Sequence, residues 1–537
     1  MDLNYFIAKN NQDFLLSGQP LETEDLADGN VGVGERVTVT DDDVFLYPTG
    51  MNIMDHLDDV FSIATYHDHV IAPKYRMKRD YYKGRHYDII HKPRLPLNKP
   101  DSRLVVNLPK KLVNTFNGYF SGDPVEIKHQ ADSNDDDAVN DKIQAWLKDN
   151  DYADTFSEWA KQADIYGRAY LYAYLIDSQL SFTVCSPRDT IIVYDDSVMH
   201  RPLFGIRYST GRNGTVPILI TQDADYVLTK TDGKITVTNA DPKDPTRVKK
   251  NDMHSFPQLP LIELAEDDER TGIFDDVISL VDAVDAVASF KVNDISSFAD
   301  AYLVVTGQEL TEEQLKDIKN NRLINLFKKD GASFDGTSTM QPAVSFLTPD
   351  SNDTTQENFL NRAIDLVYQI SQVVNLNDSS IGMSAQSISG VALLQRYQPM
   401  QAKARTKALK MDKALRQLFT ILFAVWGNSS LKVSDLSFDH KRSIPHNLSE
   451  EADIVNKLNG QVDDVTKLSQ YSGIDDPQKA VERLHDQERA EATTTAQGLQ
   501  QYLSDQKKGG GVVDNSGDGT QAHSATGQSG QSDGPAK

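Results

Sequence analysis

The sequence IFDDVISLVDAVDAVASFKVNDISSF, residues 273–298, predicts one long amphipathic helix. Its apolar residues recur at the helical period, so we expect them to form one continuous face. The members of that face are Val277, Leu280, Val281, Val284, Ala288, Ile295 and Phe298. We expect Asp275, Asp282 and Asp285 on the opposite face. An acidic helix face is usually just solvated, and it would matter for function only if it lined a channel.

The remaining pattern predicts a mixed α+β fold. Helical periodicity covers residues 52–64, 74–83, 141–147 and 153–166. Gly84 is suited to end the second of these helices. Short alternating strands follow, and Asp232-Gly233 is the strongest local signal for a hairpin. Thr354 and Glu357 form a capping box that opens a further helix.

A long helix is expected from about Ser389 to Trp426, with a kink at Pro399. The two ends of the chain differ from this pattern. Residues 18–50 are acidic and rich in Gly and Thr, which predicts a peripheral or poorly ordered segment. From Lys507 the Gly/Ser-rich sequence has too few apolar residues to fold, so we expect a disordered tail.

Composition restricts the class of protein. A chain of 537 residues is too long for one core, and 39% apolar with 25% charged residues indicates a soluble globular protein. The net charge of −24 argues against a general DNA coat protein, which needs positive charge. With Cys185 as its single cysteine, the chain has no internal disulfide framework. We find no signal peptide in residues 1–30 and no run long enough to span a bilayer.

Two basic stretches stand out in this acidic chain. Residues 74–111, which include RDYYKGRH at 79–86, carry twelve Lys or Arg against three Asp. The long helix carries a second set, with Asp412 as its only opposing charge. That set is Arg396, Lys403, Arg405, Lys407, Lys410, Lys413 and Arg416. Basic residues can bind nucleic acid, but for the long helix a solvated face is the favoured interpretation.

Motifs for catalysis and metal binding are weak or fail. The sequence HDH at 67–69 lacks a zincin or Cys/His pattern around it, although a metal-dependent hydrolase built on it stays a hypothesis. The acidic run from Asp132 fails as a calcium loop because Asp137 and Ile143 occupy its glycine and glutamate positions. The chain has neither a P-loop nor a GxSxG motif. We therefore predict no catalytic residues, no metal ligands, no cofactor and no enzyme activity.

An ordered set of segments resembles one family, the portal or head-to-tail connector proteins of long-tailed bacteriophages, of the siphophage type. The segments are YRMKRDYYKGRH, LVVNLPKKLVNTFNGYFSGDPVEI, ADIYGRAYLYAYL with SPRDTIIVYDD, IFDDVISLVDAVDAVASFKVNDISSFADAYLVVTG, SISGVALLQRY, and NGQVDDVTKLSQYSGIDDPQKAVERLHDQE. Each segment alone is weak evidence. Their order across residues 51–495 makes the resemblance specific. The acidic N-terminus and the Gly/Ser-rich tail depart from it.

The resemblance implies a portal fold with an α/β wing, a long helical stem, a small α/β clip and a helical crown, assembled as a ring of twelve subunits. The implied division is a variable acidic segment 1–50, wing 51–272, stem helix 273–301, clip 302–349, second stem helix 350–374, tunnel loop 375–388, wing 389–445, crown 446–505 and disordered tail 506–537. In such a ring the tunnel loop residues Asn377, Asp378, Ser379 and Ser380 would lie nearest the DNA. Asp275, Asp282 and Asp285 would be candidates for an acidic face in the stem lumen.

The same resemblance implies a function and a set of partners. The ring would stand at one capsid vertex of the virion, after assembly in the host cytoplasm, and double-stranded DNA would be packaged, retained and ejected through it. Its other partners would be the terminase large subunit, the head-tail adaptor, and the major capsid and scaffolding proteins, with no membrane. The alternative is a DNA-binding virion or host protein that uses the basic stretches at 74–111 and 396–416.

Overall fold

A computed structural model describes most of the chain between residues 33 and 508. The described ranges are 33–96, 100–131, 136–211, 214–241, 244–249, 252–298, 302–306, 343–347, 353–375, 390–427, 431–442, 448–471, 473–474 and 477–508, with the isolated positions 312 and 316. The chain divides into two compact units, Met1–Ile444 and Pro445–Lys537.

Helices form one layer of the first unit. They are α1 (Leu57–Tyr66), α2 (Ala72–Tyr82), α3 (Tyr87–Ile90), α4 (Leu108–Ser121), α5 (Asp136–Asp149), α6 (Tyr152–Tyr166), α7 (Ile278–Phe298), α8 (Asp353–Ile370) and α9 (Gly390–Val425). A π-helical turn, His67–Ile71, joins α1 to α2. Pro73 therefore lies in the first turn of α2, where its missing N–H costs little.

Strands β1, β2 and β6 to β10 form the largest sheet. The strands of the first unit are β1 (Thr38–Val39), β2 (Phe45–Tyr47), β3 (Glu126–His129), β4 (Arg168–Ile176), β5 (Gln179–Cys185), β6 (Thr190–Asp195), β7 (Pro202–Gly211), β8 (Gly214–Ile220), β9 (Asp225–Thr231), β10 (Lys234–Val237), β11 (Ala240–Asp241), β12 (Asp244–Val248), β13 (Leu261–Ala265), β14 (Tyr302–Thr306), β15 (Ala343–Leu347) and β16 (Leu436–Asp439). The seven-stranded sheet has the order β1-β2-β6-β7-β8-β9-β10, and only its β2–β6 pair is parallel.

The smaller sheets tie distant parts of the chain together. A three-stranded sheet has the order β13-β4-β5, with α6 and α9 packed on it. The pairs β3–β16, β11–β12 and β14–β15 are antiparallel. The core that joins these layers is aromatic, with Phe116, Trp159, Phe274 and Phe419 fully buried.

Residues 38–47 correct the prediction of a peripheral segment up to residue 50. Phe45 and Tyr47 on β2 are buried, and the Tyr47 hydroxyl donates a hydrogen bond to Asp59 at 3.0 Å. The DDD sequence at 41–43 forms the turn between β1 and β2, with Asp43 at a φ of 57°. Aspartate is favoured in such turns, so the composition of this stretch does not indicate disorder.

Several local predictions are confirmed. Asp232 and Gly233 both have positive φ, 51° and 77°, as a two-residue hairpin between β9 and β10 requires. Gly84, at a φ of 74°, follows the end of α2. The long helix is confirmed as α9 over Gly390–Val425, with Pro399 inside it, and the kink at Pro399 stays a prediction.

The second unit is helical where it is described. Its helices are α10 (Leu448–Leu458), α11 (Asp464–Leu468) and α12 (Pro477–Lys508). The Asp463 side chain caps α11 by accepting a hydrogen bond from the Thr466 amide at 2.9 Å. Among the described residues of the whole chain, no helix is both long enough and apolar enough to cross a membrane.

Candidate channel and assembly surfaces

Helix α7 and helix α8 form an antiparallel pair. The strand pair β14–β15 lies between them in the sequence. The far end of α7 meets the beginning of α8, where Lys291 pairs with Glu357 at 2.5 Å and Gln356 donates to Asp294 at 3.1 Å. One side of this pair carries the internal contact, through buried Ala363 and other small or apolar residues.

The α7–α8 pair also leaves large apolar side chains exposed. Ile295 is 62% exposed and Phe359 is 44% exposed, and Phe290 and Ile370 are also open. Ile295 was predicted on the buried face of the helix, so the fold of one chain covers less of that face than the sequence pattern demands. An apolar surface of this kind marks a site of contact with another protein surface.

The predicted acidic residues of α7 face the basic stretch of the same chain. The Lys78 ammonium lies 2.6 Å from Asp275, which precedes α7. The Tyr81 hydroxyl donates to Asp282 at 2.8 Å. Burial raises the pKa of Asp282 to about 6, although the hydrogen bond from Tyr81 opposes this rise. Both carboxylates therefore engage α2.

Asp285 corrects the prediction of one acidic face opposite the apolar one. Its side chain is fully buried, and His86 lies 2.5 Å away from it, equally buried. Asp285 comes four residues after Val281, so helical geometry places both on the same face. A carboxylate covered by its own chain cannot line a channel, and the lumen prediction is wrong for Asp285. For Asp275 and Asp282 it stays a prediction.

A row of three polar side chains on α7 binds the backbone of residues 102–106, here called the strap. The pairs are Ser102 N with Asn293 Oδ1 at 2.7 Å, Leu104 N with Ser289 Oγ at 2.9 Å, and Val106 N with Asp285 Oδ1 at 2.7 Å. We call Asp285, Ser289 and Asn293 the polar ladder; all three are buried. Sequence analysis missed this contact, although the spacing of four residues between its members was a usable signal.

The basic stretch 74–111 is a structural element. Lys74 pairs with Asp43 at 2.9 Å, Arg76 pairs with Asp68, and Lys78 also donates to the Tyr166 carbonyl at 3.0 Å. Tyr81 is buried and stacks on His86, with 4.7 Å between ring centroids. These cations are neutralised within the chain, which leaves them poorly placed to bind phosphates.

Comparison of the sequence with known protein families identifies the family of this chain. A family model described as "Phage portal protein, SPP1 Gp6-like" matches residues 62–494, most of the chain. The chain belongs to this family. Portal proteins act in phage DNA packaging at the capsid vertex, and they are structural components of the virion without enzyme activity. A search of curated proteins found no match.

In this portal protein, Lys407 corrects the interpretation of α9 as a basic face. It is fully buried, and its ammonium pairs with Asp164 on α6 and with Glu266 after β13, the latter at 2.8 Å. Its ammonium also lies 5.0 Å from the ring centre of Phe120. Arg405 and Lys413 on the same helix are exposed. The seven basic side chains of α9 therefore do not form a single exposed surface.

The Lys407, Asp164 and Glu266 side chains form a buried triad with two carboxylates and one ammonium. Burial raises the pKa of Asp164 well above its usual range, because one ammonium cannot neutralise both acids. Burial alone would lower the pKa of Lys407, but Asp164 and Glu266 outweigh it and raise that pKa. The triad joins α6, α9 and the end of β13.

The histidines of HDH have structural partners. His67 is buried, and its Nδ1 atom lies 2.7 Å from the Tyr208 hydroxyl. Burial lowers the pKa of His67 to about 3. His69 Nδ1 lies 2.8 Å from the Thr65 carbonyl of its own helix. Within the described ranges, no three His, Cys, Asp or Glu side chains converge as a metal site would require.

Two predicted functional segments lie outside the described residues. Residues 376–389 contain Asn377, Asp378, Ser379 and Ser380, the predicted tunnel loop positions. Most of the predicted clip, between β14 and β15, is also outside them. Both assignments stay predictions.

Proposed function

We propose that this portal protein assembles as a ring of twelve subunits through which double-stranded DNA is packaged, retained and ejected. The family match over residues 62–494 is the observation that carries the proposal. The exposed apolar side chains of the α7–α8 pair support it, because neighbouring copies in a ring would cover them. The ring stands at one capsid vertex, after assembly in the host cytoplasm.

Within such a ring, α7 and α8 form the stem, and β14 and β15 belong to the clip. The α/β body of the first unit forms the wing, and α10 to α12 form the crown. The clip receives the terminase large subunit and later the head-tail adaptor. The wing and crown meet the major capsid and scaffolding proteins.

Residues 375–388 form the tunnel loop in this proposal. Asn377, Asp378, Ser379 and Ser380 then face the DNA with polar and acidic groups. A wall without cations suits a conduit, since Lys and Arg would hold phosphates through counterion release. Exposed carboxylates on the stem, such as Asp276 and Asp294, are better placed than buried Asp285 to continue that wall.

The tunnel loop assignment is tested by Asp378→Lys, with Asp378→Asn as the matched control. The added cation is expected to slow DNA passage, so the lysine variant should form intact rings but yield few DNA-filled heads. The asparagine variant should package normally. Packaged DNA per head, measured after nuclease treatment, is the readout. Normal packaging by the lysine variant would contradict a position beside the DNA.

The DNA-binding alternative has less support. In the stretch 74–111, Lys74, Arg76 and Lys78 are paired within the chain, and in α9 Lys407 is buried. Exposed cations remain in both stretches, such as Lys110 and Lys413, but the net charge of −24 disfavours general binding to DNA.

A further inference from the structure

The exposed apolar residues of α7 lie on two different sides of that helix. Lys291 and Asp294 make its contacts with the beginning of α8. Each residue of a helix advances about 100° around the axis. The order around α7 is therefore Phe290, Asp294, Lys291 and Ile295. Phe290 and Ile295 flank the contact with α8 on opposite sides, about 140° apart.

Helix α8 adds large apolar side chains to one of these two sides. Gln356 is the residue that donates to Asp294, and Phe359 follows Gln356 by three positions on the side away from Glu357. Phe359 therefore lies on the same side of the pair as Phe290. Two further residues follow Phe359 at helical spacing, seven and eleven positions later. We call the four side chains together the phenylalanine face: Phe290, Phe359, Leu366 and Ile370.

The opposite side of the pair carries a second apolar surface. Ile295 is 62% exposed there, and the half-buried Val292 precedes it by three positions. We call these two residues the isoleucine face. A two-fold dimer joins the same patch of both copies, so it would cover one of the two faces and leave the other open. A contact between the two unlike faces covers both, and repeated by rotation it closes into a ring.

Charged residues agree with one register for such a contact. Ile295 lies five residues beyond Phe290 on α7, and Glu357 lies five residues before Arg362 on antiparallel α8. Both separations are about 7.5 Å in the same direction along the pair. One shift therefore brings Ile295 of one copy to the level of Phe290 in the next, and Glu357 to the level of Arg362. The Glu357 side chain is 52% exposed, and Arg362 is exposed as well.

A second cation lies at the phenylalanine face. The Lys92 ammonium lies 4.3 Å from the ring centre of Phe290. Together with Arg362 it gives this face a basic margin, whereas exposed Glu357 gives the isoleucine face an acidic one. The two faces are therefore complementary in charge as well as apolar. Lys92 belongs to the basic stretch 74–111, so part of that stretch lies at this surface.

We propose that the isoleucine face of one copy packs on the phenylalanine face of the next copy. This contact rests on the ring of the proposed function and names the surfaces through which that ring closes. Ile295 enters the apolar surface beside Phe290, and Glu357 of the same copy pairs with Arg362 of its neighbour. Each copy thus uses both sides of its α7–α8 pair.

Disulfide cross-linking of the full chain tests the contact, because Cys185, its only cysteine, is buried. Ile295→Cys and Phe290→Cys point to opposite sides of α7, so within one chain they cannot bond to each other. On oxidation, the double variant should form a ladder of chains joined to one another, which a reductant returns to single chains. Each single variant should remain as single chains. Ile295→Cys combined with Ile176→Cys, at an exposed site on the β4–β5 hairpin, is the matched control and should not cross-link.

Electron microscopy of the same preparations separates this contact from the ring itself. Rings without cross-links would overturn the contact and leave the proposed function standing, whereas single chains without rings would contradict both. Cross-linking of Ile295→Cys alone would indicate a two-fold contact and would also overturn the proposal.

A charge reversal keeps the proposal testable if the double cysteine variant fails to fold. Arg362→Glu leaves both apolar faces in place but sets a negative charge against Glu357 of the neighbour, so it should sediment as smaller species. Lys413→Glu, the same reversal at an exposed cation of α9, should sediment like the wild type. Unchanged sedimentation of Arg362→Glu would count against the contact.

Discussion

At the scale of single residues, the ammonium of Lys407 offers the clearest test of the buried contacts. Lys407→Met removes the cation and leaves Asp164 and Glu266 buried without a partner. Breaking a buried ion pair from one side costs about 3–5 kcal/mol. We expect a loss of that size in the free energy of unfolding, measured by chemical denaturation.

Lys413→Met provides the control for this substitution, since Lys413 is an exposed cation of the same helix. A surface change of this kind should alter the free energy of unfolding by less than about 0.5 kcal/mol. Equal losses in the two variants would show that Lys407 is not held in the buried triad.

Asp282 predicts a pH dependence of stability. Burial raises its pKa to about 6 from the ordinary 3.8. The folded chain therefore binds this proton more tightly than the unfolded chain. The resulting stabilisation is present at low pH and is lost as pH rises from about 4 through 6. Asp282→Asn removes this titration and can still accept from Tyr81, so at neutral pH we expect a gain of about 1–2 kcal/mol.

Unfolding free energies measured across that pH range would check this expectation. The exposed Asp276 supplies the control, because Asp276→Asn should leave the pH profile of the wild type unchanged. An Asp282→Asn variant with the wild-type profile would mean that Asp282 does not titrate near pH 6.

At the scale of elements, local sequence signals predicted turns and helix ends well, but they did not predict contacts between distant segments of the chain. The hairpin at Asp232-Gly233 and the end of α2 at Gly84 follow from backbone conformations that few residues adopt. The face of Asp285 could have been predicted from its spacing to Val281 alone. By contrast, the strap on α7 and the triad around Lys407 join residues more than 140 positions apart. The spacing of the polar ladder indicates a shared helix face, but one sequence does not tell which distant segment contacts it.

The α7–α8 pair makes a prediction about assembly. Aspartate at both Ile295 and Phe359 places charges at two exposed apolar positions of the pair, where neighbouring copies would meet in the proposed ring. We expect this double variant to remain folded and to sediment as smaller species, because a buried unpaired charge opposes association. Ile176→Asp, at an equally exposed site on the β4–β5 hairpin, is the control and should sediment like the wild type. If the double variant sediments like the wild type, Ile295 and Phe359 do not lie in a contact between subunits.

At the scale of the whole molecule, charge and architecture favour a conduit over a DNA clamp. The net charge of −24 repels the phosphate backbone of DNA. Lys74, Lys78 and Lys407 form ion pairs with carboxylates of the same chain and so stabilise the fold. In the proposed ring, the chain would guide DNA without binding it tightly. That role requires a closed assembly around the DNA.

Electron microscopy of the purified chain tests this central claim most directly. We expect the wild-type chain to form closed rings with a central hole wide enough for duplex DNA. The Ile295 and Phe359 double variant should fail to form them. Compact monomers, or open filaments without a hole, would contradict it.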